Sequence, residues 1–104
     1  MAFQISSALL DACVLAILAD EPTYGYVLTQ RVRELVPLSE STLYPVLRRL
    51  LANEQLHTYD QPISGRLRRY YAITDKGRES LAAYQGDWRE LSAKIDEILM
   101  KGAN

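Results

Sequence analysis

Across the last quarter of the chain, large apolar side chains recur at Leu81, Tyr84, Trp88, Leu91, Ile95 and Ile98, in steps of three and four. Such a row is the a/d seam of a coiled coil, because a 3.5-residue repeat keeps one helix face against one partner. The helix that carries it, from Asp75 to about Met100, is longer than a small domain needs to cover its own core. A chain of 104 residues buries only a modest core when alone. The seam therefore asks for a partner, and a second copy of the chain is the commonest solution. Gly86 weakens this helix by about 1 kcal/mol relative to alanine, but it permits close approach.

The segments before it are short and distinct. Ser6 to Leu18 reads as a helix that is apolar nearly all round (Ala8, Leu9, Ala12, Cys13, Leu15, Ala16, Leu18), so it is buried on more than one side. Asp20-Glu21-Pro22 ends it, since the residue before proline is pushed out of the helical region. Thr23 caps a second helix, Tyr24 to Leu35, whose apolar face is Val27, Leu28, Val32, Leu35 and Val36; Pro37 stops it. Ser39 or Ser41 caps a third, running to about Asn53 with Leu43, Val46, Leu47, Leu50 and Leu51 inward. Its opposite face shows Thr42, Tyr44, Pro45, Arg48, Arg49 and Asn53. Leu56–Tyr59 and Arg69–Thr74 read as strands around a Pro62-Ile63-Ser64-Gly65 turn, which makes a hairpin.

Charge is uneven along the chain. The net charge is −1, but residues 41–78 hold seven basic residues (Arg48, Arg49, Arg66, Arg68, Arg69, Lys76, Arg78) against three acids (Glu54, Asp60, Asp75), a local +4. A basic patch on an acidic body suits phosphate binding, where local charge decides. The single cysteine, Cys13, allows no internal disulfide and reads as a buried thiol. His57 has no neighbouring ligand set, so no metal and no cofactor are expected. No Ser/His/Asp set, paired carboxylates or phosphate-binding glycine loop is visible, which excludes an enzyme. No cleavable leader or apolar run of membrane-spanning length is present, and the expected location is cytoplasmic.

Three helices followed by a hairpin is the order of a winged helix-turn-helix, in which the third helix enters the major groove and the hairpin, the wing, reaches the backbone or minor groove. The predicted fold is mainly α with a small β-hairpin: residues 1–74 form a winged helix-turn-helix and residues 75–104 a dimerisation helix. Ser41, Thr42, Tyr44, Arg48 and Arg49 on the third helix, and Gly65, Arg66, Arg68 and Arg69 on the wing, are the candidate DNA contacts. Of Tyr70 and Tyr71, alternation sends one to the core and the other to solvent.

Three stretches resemble the PadR family of regulators: PTYGYVLTQRV at 22–32, STLYPVLRRL at 41–50 and GRLRRYYAITDKGRESL at 65–81. They match, in order and at similar spacing, a Y-G-Y helix start, a T-L-Y-P-x-L-x-R-L recognition helix and a G-R-x-R-[KR]-Y-Y-x-[IL]-T-x-x-G wing. The resemblance adds Tyr24 to the DNA contacts. It implies a dimer built from the first and last helices, with Leu9 joining Leu81, Tyr84, Trp88, Leu91, Ile95 and Ile98 at the interface, and repression of detoxification or drug-efflux genes. The sequence departs from the family where Asn53-Glu54-Gln55-Leu56 replaces an acidic residue, a glycine and two aliphatics, so Glu54 or Asn53 must take a left-handed cap. Tyr59-Asp60 stands where many members have tryptophan. Trp88 either fills the seam or, as in the small multidrug-responsive repressors the chain resembles, stacks a planar aromatic ligand between subunits with Ala12 and Asp87 nearby. The alternative function is a winged-helix adaptor that binds only protein.

Overall fold

Ser6 accepts the amide of Leu9 on its side-chain oxygen at 3.1 Å and so caps α1, Ser7–Asp20. The computed structural model describes residues 2–36 and 39–101. α1 runs two residues past the expected Leu18 and ends before Pro22, with Glu21 extended.

Thr23 does not cap the second helix. With Tyr24 it forms a two-residue strand, β1, and α2 follows directly as Gly25–Leu35 without a side-chain cap. The β-branched side chain of Thr23 is buried, and its backbone belongs to a sheet. Leu28, Thr29 and Val32 face inward on α2. Leu35, expected on that face, is exposed. It is the last residue of α2, while Val36 leaves the helical conformation and buries. The expected stop at Pro37 lies outside the described residues.

α3 spans Glu40–Ala52, with Ser39 at the cap position and Pro45 inside the helix. Proline has no amide to offer the Ser41 carbonyl, a loss that is tolerable on an exposed helix face near its start. Leu43, Val46, Leu47 and Leu50 are buried. Just past the cap at Asn53 comes Glu54, whose φ of 60° is the left-handed conformation. Asn53 does not take it, remaining at φ −86°.

The hairpin is longer than the sequence predicts. β2 is Leu56–Ile63 and β3 is Arg66–Ile73, paired antiparallel from Leu56↔Ile73 to Ile63↔Arg66. Ser64 and Gly65, at φ 53° and 77°, are the whole turn. A two-residue turn with both φ positive matches the twist of the strands it joins. Pro62 sits on an edge strand, where its missing amide costs no ladder bond. β1 pairs with β3 on the other side, Thr23↔Tyr71 and Tyr24↔Tyr70, so the sheet has three strands in the order β1-β3-β2.

α4, Asp75–Leu99, is capped by Thr74, which accepts from the Gly77 amide at 3.0 Å. The core lies between α1, α2, α3 and the inner sheet face. It takes Leu10, Val14, Leu15 and Leu18 from α1, the apolar faces of α2 and α3, Leu56 and Leu81. Each fully buried leucine or valine contributes roughly 1.5–3 kcal/mol relative to exposure. Beyond Tyr84, α4 leaves this core, and the chain is 57 Å long in its largest dimension.

Candidate nucleic-acid interface

Packing decides which side of α3 is presented. With Leu43, Val46, Leu47 and Leu50 inward, the side chains of Ser41, Thr42, Tyr44, Pro45 and Arg48 stand in solvent. The Ser39 hydroxyl lies 2.8 Å from that of Ser41 and 3.1 Å from that of Thr42. Three hydroxyls and a phenol at a helix start can both donate to and accept from phosphates and base edges.

Arg49 does not join them. Its guanidinium grips the carboxylate of Asp11 on α1 through two nitrogens, Nε at 3.2 Å from Oδ2 and the second on Oδ1. The Asp11 hydrogen bond and charge hold the Arg49 pKa above its ordinary value, against desolvation. The expectation of an Arg49 left free on the outward face is corrected, its side chain staying 40% exposed but paired: a buried carboxylate on an otherwise apolar stretch needs a partner, and Arg49 supplies it. A signal was present in the sequence, since Asp11 is the one charge between Ser6 and Ala19.

The wing separates its arginines by strand alternation. Arg66 and Arg68 share one face of β3 with Tyr70; Arg69 takes the other. Arg68 lies over the Tyr24 ring, 5.3 Å from its centroid. Tyr24, Tyr70 and Tyr59 form a row across the three strands, with centroids 5.5 and 5.4 Å apart. Tyr24 is thus held in the sheet's aromatic row, at the start of α2. Arg69 pairs with Asp60 at 3.8 Å, both well exposed, an ion pair that water largely screens. Arg66 and Gly65 are exposed at the tip. Tyr71 turns inward against the core, while Tyr70 belongs to the outer row. Burial pushes the Tyr71 phenol pKa up, helped by Tyr44 and opposed by Arg69.

The residues expected at a subunit interface are divided. Leu81 is buried in the chain's own core, and Tyr84 packs partly against it. Trp88, Leu91, Ile95 and Ile98 remain between 39% and 74% exposed. Leu9 and Ala12 on α1 are half-buried, and Asp87 beside Trp88 is exposed. Cys13 is half-buried, and burial raises its thiol pKa. Among the described residues no group of three or more His, Cys, Asp or Glu side chains is placed to hold a metal. No described helix is long and apolar enough to cross a membrane.

Comparison with known proteins places this geometry. Residues 14–83 match the model of the transcriptional regulator PadR-like family. The fold is similar to that of the Streptococcus mutans protein smu.1704, with a TM-score of 0.90 and 35% identity over 95% of this chain and 93% of that one. It is also similar to a PadR-like transcriptional regulator of Bacillus cereus, with a TM-score of 0.82 and 32% identity over 88% and 91% of the two chains. A transcriptional regulator of Mycobacterium tuberculosis is 36% identical over 78 residues, 74% of this chain and 73% of that protein. The winged helix, its exposed α3 face and the long α4 are therefore those of a regulator and not of an enzyme, and the chain belongs to the PadR-like family of transcriptional regulators.

Proposed function

We propose that the chain acts as a homodimeric repressor. Residues 1–74 would read operator DNA, residues 75–104 would pair two copies, and a planar aromatic ligand would relieve repression of detoxification or drug-efflux genes. The observation that carries this reading is the division of exposed surface. Ser41, Thr42, Tyr44 and Arg48 face solvent on α3 beside the arginine-bearing wing, while Trp88, Leu91, Ile95 and Ile98 are left uncovered on α4. A row of large apolar side chains on a helix that runs beyond its own core is stabilised when a second copy covers it.

In this reading the hydroxyls and Tyr44 contact base edges, Arg48 and the wing arginines Arg66, Arg68 and Arg69 neutralise phosphates, and Tyr24 supports the wing. Gly65 lets the tip approach the backbone. The two recognition helices of the dimer then meet a two-fold operator with half-sites about one or two turns apart. Trp88, near the middle of the paired helices, faces its symmetry mate. Two indoles offer apolar, electron-rich faces suited to a planar cation. Asp87 adds negative charge nearby, and the half-buried Ala12 on α1 belongs to the same site in this reading. A ligand held there shifts DNA binding only in so far as it prefers one arrangement of the subunits.

The test has two arms. Selection from a random duplex pool should enrich a two-fold sequence whose binding weakens steeply with salt; failure to enrich any sequence would favour the protein-only adaptor. Titration with a planar cationic dye should quench the single tryptophan and release that duplex. A dimeric Trp88→Ala variant that still binds the dye as tightly would exclude the indole site.

A further inference from the structure

Arg48 and Arg49 are neighbours on α3 with separate duties. Successive helical residues point about 100° apart. Arg48 is exposed, whereas Arg49 turns along the flank of α3 to reach α1. Asp11 is buried, and both of its carboxylate oxygens are taken by Arg49. The two residues are 38 positions apart, so the contact joins distant segments. α1 also packs along α4, and Tyr84 of α4 lies close enough to bear on the Arg49 charge.

The apolar stripe of α3 holds the helix down, but hydrophobic burial has no direction. A bidentate arginine–carboxylate pair does, because the planar fork fits the carboxylate in one orientation. Side-chain tips stand roughly 5–6 Å from a helix axis, so a roll of about 20° moves them by about 2 Å. That exceeds the roughly 0.5 Å within which a binding constellation must be held. For stability alone such a pair is replaceable, since well-packed apolar residues often do as well.

We propose that Asp11 and Arg49 form a clamp that sets the roll of α3, and that Arg49 is a positioning residue which touches no phosphate. This rests on α3 being the DNA-reading helix. The clamp fixes the direction of Thr42, Tyr44 and Arg48 relative to the α1–α4 body, and so relative to the partner's recognition helix.

The experiment measures binding of the full chain to its best selected duplex and to an unrelated duplex, each across a salt series. Asp11→Asn weakens the clamp and leaves Arg49 in place. Affinity for the selected duplex should fall about tenfold, the scale of a mismatched contact, with nonspecific affinity and salt slope unchanged. An unchanged affinity for the selected duplex in Asp11→Asn would overturn the proposal. The double variant Asp11→Leu with Arg49→Met keeps the site filled and guards against simple unfolding. It should melt near the native temperature, keep the salt slope and lose discrimination. A slope reduced by roughly 0.9, or full discrimination, overturns the clamp while leaving α3 as the reading helix. If the native chain itself selects no sequence, the reading of α3 fails, and the clamp's role fails with it.

Discussion

The hydroxyl of Thr74 donates to the carbonyl of Glu54 at 2.7 Å, joining the end of α3 to the start of α4. The same oxygen accepts from the Gly77 amide, and the Thr74 amide donates to the Gln55 carbonyl at 3.1 Å. One residue thus caps the long helix and ties it to the segment that leaves the recognition helix. Gln55 adds a side-chain bond to Ser80 at 2.7 Å.

That junction holds Glu54 at φ 60°, a conformation costing an L-residue roughly 1–2 kcal/mol. Glu54→Gly should therefore stabilise the fold by about 1 kcal/mol, part of the relief being offset by the freer unfolded chain. Urea unfolding checks this. A lower midpoint would mean that the Glu54 side chain has a favourable role of its own.

Gly77 and Gly86 should respond in opposite senses to alanine. A Cβ on Gly77 would overlap the Gln55 carbonyl oxygen and press on Ile73. Gly77→Ala should cost about 2–3 kcal/mol, visible as a fall in Tm. Gly86 meets nothing within 4 Å in its own chain, so Gly86→Ala should gain up to about 1 kcal/mol from helix propensity. If Gly86→Ala instead weakens subunit association, the two copies approach closely there.

On the wing, Arg66 should matter more than Arg69 to nonspecific DNA affinity. Arg66→Ala should reduce the salt slope by roughly 0.9, the amount expected for one phosphate. Arg69→Ala should reduce it less, because Asp60 already faces that guanidinium. Equal reductions would show that the Asp60 pair opens on DNA.

The α4 residues should divide in the same way in solution. Leu91→Asp with Ile95→Asp puts charge on the uncovered face and should yield folded monomers by sedimentation, since burying unpartnered charge is costly. Leu81→Ala should instead lower the stability of the chain itself by about 2–5 kcal/mol, because Leu81 is part of its core. A stable dimer in the double aspartate variant would place the interface elsewhere.

Burial raises the Cys13 thiol pKa, which leaves less thiolate at neutral pH than a free cysteine has. Alkylation by iodoacetamide at pH 7 should be several-fold slower in the folded protein than after denaturation, the gap narrowing as pH rises toward the raised pKa. Equal rates would show that the site opens readily.

Local order was legible in the residues themselves. The 3–4 spacing of Leu91, Ile95 and Ile98, the start of α3 at Ser39 and the alternation of Tyr70 and Tyr71 depend on neighbours a few positions away, which the sequence lists in order. The hairpin's full length is not legible in the residues because arginines and a proline carry little strand propensity, and the pairing of β2 with β3 across a two-residue turn decided their conformation. What tertiary structure alone decided were the contacts between distant segments. Thr23 became a strand because Tyr71 lies opposite it. Leu81 left the seam for the core because α1 packs over the start of α4. Asp11 and Arg49 found each other across α1 and α3, and so one of two adjacent arginines is held by a carboxylate while the other is left to solvent. Periodicity assigns a residue to a helix face; only the packed neighbour across that face determines whether its charge meets water, a carboxylate or DNA.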